Sequence, residues 1–395
     1  MMSTRSIPLC IPELRGREHE YIQECLDTNF VSSVGPFVHR FEQAIADCVG
    51  LPYGVATVNG TAALHIALLV AGVKPDDEVL VSSLSFIAPA NAVRYAGAWP
   101  TFVDAEPRHW QMDVDKLASF LDRDCEWHNG ELINRSTHRS IRAILPVHIL
   151  GHPVDLDPIV ALARKFDLKV IEDATESLGA VYRGRKVGAI GDIACFSFNG
   201  NKLITTGGGG MIVTHNEAWA KKAKYLTTQA KDDPIEFVHR EVGYNYRLTN
   251  VQAAMGCAQL ERLEEYLTAK RDIAVRYNQG LKDAEWLQPM READWARSAF
   301  WLYTVLLDSR TSGFDRRDLS SYLATRGIQT RPLWQPLHLS PAHVGSAYTD
   351  CSVAEDLNSR ALSLPCSVGL NESDQAYVID ALHIWARSNA GEVVV

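Results

Sequence analysis

The sequence predicts an α/β protein built on a largely parallel sheet, and two observations carry that prediction. Between residues 54 and 214, short runs rich in Val, Ile and Phe alternate with amphipathic segments; alternating strand and helix build a parallel sheet covered on both faces. The length of 395 residues also exceeds the size at which a single core stops growing, so two domains are expected.

Taken in order, strands are expected at 54–58, 78–83, 101–104, 142–148, 169–173, 194–198 and 211–214. Most gaps between the first five hold a helix. Residues 61–71 are the clearest, with Leu64, Ala67, Leu68 and Ala71 at helical spacing. Residues 113–121 and 156–166 are others, the second opened by Asp155 and Pro158 in good N-terminal positions. The polar stretch 124–140, with Asn129-Gly130 inside, reads as a surface insertion. After Asn250 the pattern changes to a long helix-like run, 251–277, followed by shorter mixed segments. These features divide the chain into an N-terminal arm and large domain over 1–255 and a smaller domain over 256–395.

Composition narrows the function classes. Hydrophobic content of 46% and charged content of 22% are those of a globular chain. A net charge of -9 with scattered Lys and Arg argues against a nucleic-acid partner. Lys221, Lys222 and Lys224, the densest basic group, read as the wet face of a helix. No run reaches the roughly 18 to 20 apolar residues a membrane helix needs. The opening MMSTRSIPLCIPELRG has no apolar signal-peptide core, and the eight cysteines, Cys10 to Cys366, contain no CxxC pair. Free thiols in a cytoplasmic protein are therefore expected.

Three motifs carry chemistry. Val58-Asn-Gly60-Thr61-Ala62 ends a strand and opens a helix, a junction whose amides and dipole attract an anion. Lys169-Val-Ile-Glu-Asp173 ends in carboxylates at the carboxyl end of a strand, where α/β sheets bind ligands. There Asp173 can hold Mg²⁺, a ribose or a protonated ring nitrogen; the absence of a Walker A or GxGxxG motif lowers the nucleotide readings. Third, Lys202 lies between a strand and the run Gly207–Gly210, with apolar or small flanks. A partly desolvated lysine becomes able to form a Schiff base. Together the three fit pyridoxal phosphate, with phosphate at Gly60-Thr61, ring nitrogen at Asp173, aldehyde on Lys202 and Phe86 stacked on the ring.

The blocks VNGTAALHIAL, IEDATESLGA, CFSFNGNKLITTGGGGM, GYNYRLTNVQAA and TRPLWQPLH resemble, in order, the DegT/DnrJ-type sugar aminotransferases. The likeness implies the fold type I architecture of pyridoxal-phosphate enzymes, with a seven-stranded, mostly parallel sheet and a smaller C-terminal α+β domain. It implies that Lys202 carries the cofactor and shuttles a proton, and that Asp173 pairs with the ring nitrogen. Glu176 would lie near the ring hydroxyl and Phe86 would stack. Gly60, Thr61 and Ser197 would hold the phosphate, with Asn245 reaching it across a homodimer. Trp334 and His338 would lie near the sugar. L-Glutamate is the implied amine donor, and a nucleotide-linked 4-keto-6-deoxy sugar the acceptor, for bacterial surface glycans. VSSVGPF, FNGNK and the glycine run look most like the legionaminic-acid and bacillosamine branch, whose substrate is a UDP-linked 4-keto-6-deoxy-N-acetylhexosamine. GDP-perosamine synthases share GHP at His152 and YNYR at Tyr244–Arg247 and form the alternative.

Other readings have specific discriminators. His148 and His152, four apart, would suit a metal on a helix, but Gly151 and Pro153 favour a loop, so no metal site is expected. Cys195 has no cation in its neighbouring sequence to make it reactive. Sugar dehydratases related to this family replace the lysine with histidine, whereas this chain keeps Lys202. A non-catalytic sensor or scaffold of the same fold would be expected to have lost Lys202, Asp173 or Ser197, and all three are present.

Overall fold

The computed structural model describes residues 5–233, 235–308, 313 and 315–389; the start of the N-terminal segment considered above lies outside them. Seven strands form the main sheet: β1 (Tyr53–Thr57), β2 (Glu78–Ser82), β3 (Trp99–Val103), β4 (Ile141–Leu145), β5 (Lys169–Asp173), β6 (Ile193–Ser197) and β7 (Gly210–Thr214). Their spatial order is β1-β7-β6-β5-β4-β2-β3. β7 runs antiparallel to both β1 and β6, and the other pairings are parallel. The seven expected strands are these. The fourth stops at Leu145 rather than residue 148 because Pro146 has no amide to donate, and beyond it only Val147 bridges Asp173.

Side chains alternate across this sheet, as the strand period requires. Val55, Ile193, Cys195 and Ile212 join one apolar cluster, while Ala56, Ala194, Phe196 and Met211 join another on the opposite face. The first face is covered by α3 (Gly60–Val70), which packs against β6, β7, α4 (Ala88–Tyr95) and α7 (Glu217–Thr227). Contacts on every side explain why α3 is apolar nearly all round, with Leu64, Ile66 and Leu68 fully buried. Helices α2 (Pro36–Val49) and α8 (Asn250–Leu260) contribute Phe37, Phe41, Ala253 and Ala254 to the second cluster, and α1 (Glu18–Asp27) packs on α8. α5 (Val114–Arg123) and α6 (Leu156–Lys165) supply a third cluster around Leu80, Ile144 and Val170.

Two expectations need correction. The run 251–277 is two helices, α8 and α9 (Leu263–Gly280), separated at Glu261-Arg262. Tertiary ties hold the break: Glu261 accepts from Tyr21 and Arg40, and the Arg262 guanidinium donates to the Arg15 carbonyl at 2.7 Å. The insertion 124–140 is also more ordered than a plain loop. It contains a hairpin, Cys125–His128 against Glu131–Asn134, turned at Asn129-Gly130 with positive φ at both positions.

A second, antiparallel sheet is built from β8 (Leu287–Pro289), β9 (Tyr303–Leu307), β10 (Arg331–Pro332) and β11 (Ala361–Leu364), in the order β8-β9-β11-β10. It carries α10 (Arg316–Thr325), α11 (Ser352–Arg360) and α12 (Glu372–Asn389). The boundary expected at 255/256 falls inside α8. The buried Asp104, just past β3, fastens the α11 end to the main sheet by accepting from the Val353 and Ala354 amides and from Lys116 at 2.6 Å. Among the described residues, no helix is long and apolar enough to cross a membrane.

Candidate active site

The carboxyl ends of β1, β5 and β6 gather on one edge of the sheet, and β7 enters there between β1 and β6, with Gly210 opposite both Thr57 and Ser197. A side chain on Gly210 would lie 2.6 Å from the Asn59 carbonyl carbon, so the glycine run is what lets the chain re-enter. α3 begins at once after β1. Asn59 caps it by accepting from the Ala62 amide at 2.8 Å, and first-turn amides have no intrahelical acceptors. Gly60 faces Ser197 so closely that a Cβ would sit 2.9 Å from the Ser197 Cβ and 3.2 Å from Thr175 Cγ2. Thr61 is half-buried beside it.

The two carboxylates ending β5 have different tasks. Glu172 is fully buried and accepts from the Gly188, Ile190 and Gly191 amides and from His148 at 3.1 Å. Burial opposes its charge, but His148 and those amides win and hold its pKa below the ordinary value. Asp173 lacks such support. Burial pushes its pKa up, offset only in part by Thr175, whose amide donates at 3.1 Å, and by the charge of Lys202. It is a buried carboxylate short of a cation, which suits it to a positively charged ring nitrogen.

Lys202 lies on the loop after β6. Its ammonium is 3.6 Å from Glu176 and 4.0 Å from the centre of the Trp301 ring. Glu176 accepts from the Leu150 amide at 2.8 Å, and burial against the pull of Lys202 leaves its pKa at about 7. Leu150 presents that amide from a left-handed conformation at φ 61°, which a branched side chain adopts only under constraint.

The remaining expected residues divide by placement. Phe86 is 54% exposed, so its ring is open to a ligand. Asn245 is exposed, on a segment whose backbone bridges Thr228. Trp334 stacks on Trp301, with rings 6.4 Å apart and 7° from parallel, and so joins the Lys202 neighbourhood. His338 is placed differently. Its Nδ1 meets Ser83 Oγ at 2.8 Å and its Nε2 meets Glu355 at 3.1 Å, so both nitrogens are engaged within the protein. His148 and His152 flank a 3-10 turn, Ile149–Gly151. Each accepts a backbone amide, from Val154 and Ala293, and burial lowers the His152 pKa to about 4. Cys195 is buried and its thiol is pushed far up by burial. Lys221 and Lys222 pair with Glu217 and Glu241 on the surface of α7.

Trp301 is the residue sequence reasoning missed. It sits in an apolar stretch ahead of β9, with no motif around it, and only the fold brings it to Lys202. Arg247, in the YNYR block, has its Nε buried with no hydrogen-bond partner among the described residues.

Comparison with known proteins places the chain in a family. The chain is 42% identical over 377 residues to a GDP-perosamine synthase of Caulobacter vibrioides, covering 95% of this chain and 97% of that one. It is 37% identical to a GDP-perosamine synthase of Escherichia coli O157:H7, covering 95% and 98%. A solved aminotransferase from Brucella abortus superposes with a TM-score of 0.85 at 29% identity, covering 94% of this chain and 95% of that one. Residues 12–383 match the DegT/DnrJ/EryC1/StrS aminotransferase family, and the chain belongs to that family of pyridoxal-phosphate-dependent sugar aminotransferases.

Proposed function

We propose that this aminotransferase moves an amino group from L-glutamate to C4 of a nucleotide-linked 4-keto-6-deoxy sugar, with GDP-4-keto-6-deoxymannose as its substrate. The observation that carries the amino transfer is Lys202, held 3.6 Å from Glu176 beside the buried Asp173. The nucleotide rests on likeness to relatives named GDP-perosamine synthase. The UDP-N-acetyl sugar is the second reading, supported by the FNGNK and GGGG blocks.

Two features fit the cofactor. The raised pKa of Asp173 is relieved by a cationic ring nitrogen, and Gly60 leaves a space beside Ser197 that a Cβ would fill. Bound there, pyridoxal phosphate supplies an aldehyde for a lysine and a ring that draws electrons from the substrate carbon. Asp173 keeps the ring nitrogen protonated. Gly60, Thr61 and Ser197 hold the phosphate, and Asn245 of the partner subunit completes that cradle, making the homodimer part of the site. Phe86 would cover the ring and Glu176 would lie beside its hydroxyl. Lys202 Nζ would hold the aldehyde carbon and move a proton at the substrate carbon. Trp334 lines the sugar side, and His338 acts one step back by fixing Ser83 in the loop that bears Phe86. We assign the enzyme to the cytoplasm, on its dispersed cysteines, which fit a reducing compartment. The division into a cofactor-binding domain and a small domain near residue 255 belongs to the same reading.

The test is amino transfer from glutamate to GDP-, UDP- and dTDP-linked 4-keto-6-deoxy sugars, beside Lys202→Ala. Turnover with the GDP sugar, reduced at least about a thousandfold by the substitution, is expected. Turnover only with the UDP-N-acetyl sugar keeps the mechanism and moves the substrate. No turnover with any keto sugar contradicts the proposal.

A further inference from the structure

A second cluster of reactive groups lies behind the Lys202 loop and takes no part in the chemistry above. The N-terminal segment runs alongside the chain after β11: the Cys366 amide donates to the Leu9 carbonyl at 2.7 Å, and the Ile11 amide to Ser367 Oγ at 3.0 Å. This register brings Cys10 against Cys366. The ammonium of Lys270, from α9, lies 3.7 Å from each sulfur and 2.7 Å from the Trp301 carbonyl. Lys270 is 1% exposed. Among the described residues it has no carboxylate within ion-pair distance, and a buried ammonium needs an anion.

We propose that Cys10 and Cys366 form an oxidisable dithiol, which hydroperoxides close into a disulfide joining the N-terminal segment to the C-terminal part of the chain.

The two sulfurs are unequal in the way such a pair requires. The contact with Cys366, helped by Lys270 and Lys202, outweighs burial and lowers the Cys10 pKa to about 6, and the Cys366 thiol itself donates to the Trp301 carbonyl at 3.6 Å. Cys366 is driven the other way, well above the ordinary value, by Cys10 and by burial. Cys10 is therefore the thiolate nucleophile and Cys366 the resolving thiol. Cys10 is half-buried as a residue, whereas Cys366 is buried, so the side facing solvent is that of Cys10. Cys48 provides a control within the molecule: it is equally half-buried, but burial raises its pKa.

The chemistry balances, written for hydrogen peroxide as the oxidant. The Cys10 thiolate attacks the peroxide, its O–O bond breaks, and hydroxide leaves to become water, giving a sulfenic acid. Cys366 sulfur then attacks the Cys10 sulfur, the S–O bond breaks, and the second water carries away the Cys366 proton. Two thiols lose two electrons and two protons, and one peroxide becomes two waters. The pair touches the active-site loop directly, because the protonated Cys10 thiol donates to the Asn201 carbonyl at 3.4 Å, and Trp301 Nε1 donates to the same oxygen at 2.7 Å.

The test exposes reduced holoenzyme to hydrogen peroxide at pH 7, traps remaining thiols with an alkylating agent and maps the peptides. The expected result is a reducible Cys10–Cys366 cross-link, formed at least about tenfold faster than any oxidation at Cys48. In Cys366→Ser, Cys10 should instead accumulate as a sulfenic acid captured by dimedone. The proposal is overturned if both thiols stay free, if Cys48 reacts as fast as Cys10, or if Cys10 passes to sulfinic acid while Cys366 remains unpaired.

Discussion

At the scale of single residues, the site is a set of buried charges whose balance depends on what binds. Glu176 shows it most clearly. Its folded pKa of about 7 lies above the unfolded value of 4.5, because burial outweighs the pull of Lys202. Between those values the unfolded chain gives up its proton while the folded chain keeps it. Stability from this group is thus full below about pH 4.5 and lost as pH rises toward 7, a change of about 3 kcal/mol. Unfolding of cofactor-free protein across pH 4.5 to 7 should show that decline, and Glu176→Gln should flatten it; an equal slope in both proteins would remove Glu176 from the account. Lys202 was legible in the sequence as a lone charge between a strand and a glycine run, and Asp173 as a carboxylate closing an apolar strand. Trp301 breaks none. An apolar residue in an apolar stretch gives no sign that a distant lysine rests on its ring.

At the scale of elements, legibility followed the strength of local signals. The strands were readable as apolar runs closed by polar or turn residues, and α3 by its spacing and the Asn59 cap. The break between α8 and α9 was not. Glu261 and Arg262 are good helix formers, and the kink is imposed by Tyr21, Arg40 and the Arg15 carbonyl, which sequence spacing does not report. The start of α3 yields a prediction at this scale. With only 2.9 Å available between an added Cβ and Ser197, Gly60→Val should close the phosphate cradle. Cofactor affinity, followed by absorbance, should fall at least about tenfold, since a lost charged hydrogen bond or two costs that much or more. Unchanged affinity would place the phosphate elsewhere.

At the scale of the whole molecule, the second sheet and the first meet around the site. Asp104 ties α11 to the edge of the main sheet, His338 ties Ser83 to Glu355, and Trp334 and Trp301 stack from different segments. None of these ties joins neighbours in sequence, which is why spacing along the chain did not report them. Asn245, exposed on its own chain, carries the dimer proposal. Mixing Lys202→Ala and Asn245→Ala subunits tests it. If each site draws on both chains, hybrids contain one intact site, and activity should recover toward about a quarter of the native value. Activity that never exceeds the average of the two variants would mean each chain builds its site alone.

The central claim is that Lys202 holds the cofactor, and borohydride reduction of the holoenzyme followed by peptide mapping tests it most directly. The account predicts that the cofactor's mass is fixed to the peptide containing Lys202, with Lys270 and the surface lysines unlabelled. Label on any other lysine, or none on a yellow protein, would contradict it.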